Sequence, residues 1–220
     1  MKNTSLNLEF LHFFTFFEKV PHTKDAFHDR PLSRNFLKML SFEAPSVLIK
    51  HASGRNVVLA LILFIAFSGF IMPSFEADIK ALSGGVGVLD LEFFYMPEKA
   101  LSMLKAYGTE GIYLYLIAQW TVDLVFPAIA GFYFAAGLTW FGARRWWWMG
   151  LLVTCADWTE NIFITILLLQ YPEFSPAIAT VSTIFTLIKW SGVFGCNLLM
   201  LFFAGKKWIW GRKKGVSPAV

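Results

Sequence analysis

Four long apolar runs decide what this chain can fold into. VVLALILFIAFSGFIMPSF spans about Val57 to Phe75, and IYLYLIAQWTVDLVFPAIAGFYFAAGLTWFG spans about Ile112 to Gly142. A third run extends from about Trp146 to Leu169 and a fourth from about Pro176 to Ala204. Each is near or above the roughly 20 apolar residues that cross a bilayer. The joins GARR and QYPEFS are short, as antiparallel neighbours require. Composition agrees: 15% of residues are charged, against about 25% in a soluble domain. The expectation is an all-α, polytopic membrane protein: an antiparallel four-transmembrane-helix bundle with a short extracytoplasmic amphipathic helix.

Lysine and arginine near the spans set the orientation. Arg144 and Arg145 lie between spans two and three, and Lys206, Lys207, Arg212, Lys213 and Lys214 follow span four. Lys38, Lys50 and Arg55 precede span one. The loop between spans one and two instead holds Glu76, Asp78, Asp90, Glu92, Glu98 and Glu110 against Lys80, Lys99 and Lys105. Both termini are therefore expected in the cytoplasm, with the chain in the cell (inner) membrane. Trp146, Trp147, Trp148, Trp208 and Trp210 stand beside the cations, as an interfacial belt would. Basic residues flank apolar runs without forming a domain of their own, which excludes nucleic acid as a partner.

Three regions follow. Residues 1–55 read as a cytoplasmic segment, amphipathic or partly disordered. LEFLHFFTFFEK sets Glu9, His12, Thr15 and Glu18 at helical spacing, and no small-residue cleavage site follows it. All four histidines (His12, His22, His28, His51) lie here at spacings that match no metal site. Residues 56–204 form the transmembrane domain, with an outer loop over 76–111, and 205–220 form a basic cytoplasmic tail. Within the loop, MPEKALSMLKAYGTEG predicts a helix from Pro97, capped at Gly108, with Ala100, Leu101, Met103, Leu104 and Tyr107 on its apolar side. SGGVGV, from Ser83, matches neither phosphate-binding spacing and reads as a turn.

The informative feature is polar. Charges inside spans are rare, face the bundle interior and mark functional sites by default. Four occur: Asp123 on span two, Asp157 and Glu160 on span three, and Lys189 on span four. Asp157 lies about 11 residues from the inner end of its span, Lys189 about 13 from the outer end, and Asp123 about 11 from the outer end. At a rise of about 1.5 Å per residue all four fall near the midplane, so they are expected to meet. Their faces agree. Thr154, Asp157, Glu160, Asn161 and Thr165 follow one helical stripe, as do Ser182, Thr186 and Lys189, and Tyr115, Gln119 and Asp123 fall at successive fourth positions. Pro127 is expected to bend span two beside this layer. Lys189 is expected to pair with Asp157 or Glu160, the sequence not choosing between them, with another acid neutral or balanced by a cation.

The leading reading is a pocket for a lipid-like or amphipathic small molecule. Its candidate ligand-binding residues are Asp123, Asp157, Glu160, Asn161, Lys189, Gln119, Tyr115, Thr186 and Trp120. Trp120, Trp158, Phe126, Phe185 and Trp190 would form its walls. The catalytic version would use a carboxylate pair drawn from Asp123, Asp157 and Glu160, with Lys189. A third reading is a proton- or ion-coupled carrier, for which four spans would want a homodimer. A fourth is a network that only fixes helix register. Cys155 and Cys196 carry no CxxC and read as free thiols. No serine-nucleophile, zinc or P-loop motif occurs, so no cofactor and no metal are expected. The expected partners are membrane lipids and a hydrophobic small-molecule ligand.

LDLEFFYMPEKALSMLKAYGTEGIYLYLIAQWTVDLVFP, ADWTEN, YPEFSP and TIFTLIKW together resemble a bacterial family of small four-span integral membrane proteins, over about Leu89 to Leu201. Matching positions are Asp90, Tyr95, Gly108, Gly111, Tyr115, Asp123, Pro127, Asp157, Glu160, Asn161, Thr186 and Lys189. The resemblance implies a fold and no reaction. The architecture is also similar to the four-span sterol-isomerase and sigma-2-receptor-like group, which keeps acids in an intramembrane pocket. This chain lacks that group's histidine and its order of motifs.

Overall fold

A backbone immersed in lipid has no water to satisfy its N–H and C=O groups, so long apolar runs must close their hydrogen bonds internally. The computed structural model, which describes residues 43–214, obeys this rule, and every regular element among those residues is helical. The LEFLHFFTFFEK segment, His12, His22 and His28, and the side chains from Trp210 onward lie outside the described residues.

The elements are α1 (Ser46–His51), α2 (Gly54–Ala66), a π turn (Phe67–Ile71), α3 (Met72–Leu82), α4 (Pro97–Trp120), α5 (Val122–Phe141), α6 (Trp148–Gln170) and α7 (Pro176–Lys214). Four stretches are long and apolar enough to cross a membrane: Gly54–Leu82, Pro97–Phe141, Arg144–Gln170 and Pro176–Ile209. The chain is thus a multi-pass membrane protein built as an all-α four-helix bundle.

Local chemistry explains where the helices bend. Pro73 has no N–H for the carbonyl of Gly69, so the first span cannot keep a regular ladder there. The backbone widens instead into the π turn, with the Met72 N–H donating to the Phe67 carbonyl. Pro97 opens α4 in its first turn, and Gly108, at φ 60°, breaks that helix where only glycine is comfortable. The helix expected from Pro97 to Gly108 is therefore present, its buried side formed by Ala100, Met103, Leu104 and Tyr107. A second break falls at Thr121 (φ −117°, ψ −78°), whose hydroxyl donates back to the Ile117 carbonyl at 2.6 Å. The stretch Pro97–Phe141 is thus three helical pieces and not one, and the second span itself, from about Ile112, is two. The fourth helix continues past Ala204, carrying Lys206 and Lys207 on a helix that runs to Lys214.

The α5–α6 seam depends on small residues. A methyl added at Gly131 would overlap Thr154 Oγ1, and one at Gly150 would overlap the Gly131 carbonyl. Glycine at both positions lets the backbones approach as closely as they do. Lys207 sits 4.1 Å above the Trp140 ring and donates to the Trp140 carbonyl, which ties the end of α5 to the basic end of α7. The interior separates into two apolar clusters. One, near the loop over 83–96, includes Leu89, Tyr95, Tyr107 and Ile164, and the other includes Val57, Phe134, Leu138 and Cys196. Cys196 is buried, Cys155 is exposed, and both are free. Between the clusters lies the polar layer.

Candidate functional site

Lys189, 6% exposed, is the centre of that layer. Its ammonium lies 2.6 Å from Glu160 Oε2 and 3.4 Å from Asp157 Oδ1, and donates to the Asp90 carbonyl at 3.1 Å. An ammonium has three donors, and three acceptors surround this one. Glu160, with no exposed surface, has its other oxygen held by Thr186 Oγ1 at 2.7 Å. The expected pairing of Lys189 is therefore with both acids, Glu160 being nearer. They can share it because Asp157 and Glu160 stand three residues apart on one helical face.

Asp90 is the member that reading the spans did not assign to the site. By sequence it is one of six outer-loop acids and a matching position of the resemblance. The loop does not stay outside the bundle. A short helical turn, Leu89–Leu91, buries Leu89 and Asp90. The Tyr115 hydroxyl donates to Asp90 Oδ1 at 2.6 Å, while Trp190 Nε1 and Lys189 both donate to the Asp90 carbonyl. Tyr95 pins the next stretch: its N–H donates to Thr183 Oγ1 at 3.1 Å and its hydroxyl to Ser182 Oγ at 2.8 Å. Burial pushes the Tyr95 phenol up to about 12, so it keeps its donor proton. The available signal was LDLEFFY itself, an acid between two leucines followed by aromatics, which is a poor composition for a solvated loop.

Asp123 is held differently. Pro127 stands four residues on and cannot donate to the Asp123 carbonyl. Asn161 Nδ2 does so from α6 at 3.1 Å, and Thr154 Oγ1 and Trp158 Nε1 donate to the carbonyls of Pro127 and Leu124 at 2.8 and 3.0 Å. Thr154, Trp158 and Asn161 thus form one stripe that reads the bent backbone of α5. The Asp123 carboxylate, in the first turn of α5 and 4% exposed, receives no hydrogen bond or ion pair among the described residues.

That carboxylate faces a cavity of about 380 Å³, also lined by Asp90, Asp157, Lys189, Glu76 and Trp190. Its apolar walls include Phe64, Met72, Phe126, Val153 and Val193. The first span and α7 both line it without substantial packing on each other, since α2 packs on α5, and α7 on α6 and α5. Ser68, in the π turn, lines the cavity and is exposed at this gap. Adjoining it, a space of about 30 Å³ touches Asp90, Tyr115, Gln119 and Asp123. Gln119 is buried, neither its amide oxygen nor its nitrogen finds a partner among the described residues, and it also lines a third space of about 90 Å³.

Most of the expected site residues therefore converge. Asp123, Asp157 and Lys189 line the main cavity. Tyr115 and Gln119 line the adjoining space. Glu160 and Thr186 stand behind Lys189, and Asn161 braces Asp123 through its backbone. Trp120 does not join them. It is 52% exposed on the outer surface, lining the smaller space with Trp158. Of the other expected wall residues, Phe126 and Trp190 line the cavity, whereas Phe185 stacks on Phe163. Among the described residues no three His, Cys, Asp or Glu side chains converge as metal ligands would. The chain matches no protein-family model, no curated protein and no solved structure. The family resemblance rests on the sequence motifs alone.

Proposed function

We propose that this chain is an inner-membrane protein, with both termini in the cytoplasm, whose bundle binds a lipid-like or amphipathic small molecule. The observation that carries the reading is the cavity, which joins charged residues to apolar walls and is lined by both the first span and α7, two elements that do not pack substantially on each other. Its size of about 380 Å³ lies within the range of roughly 300–1,000 Å³ usual for small-molecule sites. A polar head would rest among Asp123, Asp157 and Asp90 while the tail lay along Phe64, Phe126 and Val193 and continued into the bilayer. Cationic residues beside Trp140 and Trp146 support a cytoplasmic basic end.

The test uses Ser68→Trp. Ser68 is exposed at the mouth of the cavity, so an indole there should close the gap and spare the core. Untargeted mass spectrometry of molecules that co-purify with the protein should find a species retained by the wild type and lost from Ser68→Trp. Identical lipid profiles for the two proteins would overturn the reading.

The helix break at Thr121, two residues from Asp123, supports a second reading. Discontinuous helices near the midplane are where secondary transporters hold their coupling ions. A proton- or ion-coupled carrier would put Asp123 in the relay. In proteoliposomes, Asp123→Asn should then abolish an ion-linked flux that the wild type supports, and a flux equal in both proteins would remove Asp123 from that role.

A further inference from the structure

We infer that the head of the bound amphiphile is a cation, an alkylammonium or a similar amine, seated on the Asp123 carboxylate. This rests on the pocket reading above and names the class of molecule that the pocket takes. An anionic head, whether phosphate or carboxylate, needs free donors. Lys189 is the only buried cation among the described residues, and Glu160, Asp157 and the Asp90 carbonyl already surround its ammonium. Trp190 Nε1 and Ser68 Oγ, the other donors that line the main cavity, are directed to the carbonyls of Asp90 and Phe64 at 3.2 and 2.7 Å. The Gln119 amide, without a partner among the described residues, lies in the adjoining space of about 30 Å³, where a second negative charge would sit beside Asp123 and Asp90.

The acceptors, by contrast, are not exhausted. Asp90, Asp123, Asp157 and Glu160 are all buried against that single ammonium. Three of them are tied by Lys189 or Tyr115, and Asp123 is the one whose carboxylate has no partner among the described residues at the cavity wall. A buried charge without a partner is costly, and an opposite charge brought by a ligand removes that cost. Asp123 also stands in the first turn of α5, where the helix dipole favours a negative group. The acids do not converge as metal ligands would, and the walls are apolar, so the cation that fits carries a hydrocarbon body. Trp190 and Phe126 add aromatic faces beside it.

The experiment titrates the full-length protein in nanodiscs with dodecylammonium, dodecanol and dodecanoate, taking empty nanodiscs as the reference for partitioning. The wild type should bind the ammonium about tenfold or more tightly than the alcohol, the carboxylate being weakest. Asp123→Asn, nearly the same shape, should bind ammonium and alcohol alike, and Asp123→Glu should keep the preference. Equal binding of all three probes by the wild type, or a preference for dodecanoate, overturns the cationic assignment and leaves the pocket itself standing. A preference unchanged in Asp123→Asn overturns the role of Asp123. Wild-type protein that binds none of the probes, and whose lipid profile equals that of Ser68→Trp, overturns the pocket and this inference together.

Discussion

Lys189→Met is expected to lower folding stability by about 3–5 kcal/mol, the cost of leaving a buried charge uncompensated. Methionine matches the lysine stem in volume, so the loss is one of charge and not of packing. Among the described residues, removing the ammonium strips Glu160 Oε2 and Asp157 Oδ1 of their only cation and leaves the Asp90 carbonyl with Trp190 alone. The loop over 83–96 then loses one of its two ties to α7 at Asp90. Glu160→Gln alone should cost less, since Lys189 keeps Asp157 and the Asp90 carbonyl, and Thr186 can still donate to an amide oxygen. The double variant Lys189→Met/Glu160→Gln should recover a large part of the loss, because two contacting members of one network do not add. Unfolding by SDS titration in mixed micelles measures all three. A Lys189→Met protein within about 1 kcal/mol of wild type would put the ion pair in the class of weak, screened pairs and remove it as the organiser of the layer.

How much of this arrangement was legible beforehand depends on which residues have a period. Asp157, Glu160 and Lys189 lie inside helices, where a fixed rise and a fixed angle convert position into depth and face. Their meeting could be read directly. The stripe Tyr115, Gln119, Asp123 also held, all three being buried, although Thr121 interrupts the helix between them. Asp90 could not be placed that way, because a loop has no repeat from which to count. Its acidity counts toward the negative charge of the outer loop, which says nothing of whether the side chain is buried. Trp120 stands outside the main cavity for a related reason: it is next to Gln119, and neighbours in a helix point about 100° apart, so burying Gln119 turns Trp120 toward the outer surface. The π turn left only Pro73 as its trace, and a proline in an apolar run signals a bend without saying where the cavity will open.

The bend in α5 leads to the second large effect. Asn161→Leu is expected to cost about 1–3 kcal/mol, the cost of an orphaned buried carbonyl. Pro127 creates that carbonyl by withholding an N–H from Asp123, and Asn161 is what satisfies it, so the two positions should be coupled. Pro127→Ala supplies the missing N–H. In the Asn161→Leu background it should therefore recover most of the loss, whereas in the wild type it should change little beyond relaxing the bend. The coupling energy from the four proteins should fall at about 1 kcal/mol or more, well above the error expected for independent sites. Equal effects of Pro127→Ala in both backgrounds would mean that the Asn161 amide does not serve the Asp123 backbone. The same cycle bears on the site, because the Asp123 carboxylate is aimed by the backbone that Asn161 holds. Asn161→Leu should weaken ammonium binding although Asn161 has no place in the wall of the main cavity, and Pro127→Ala should restore it in step with stability.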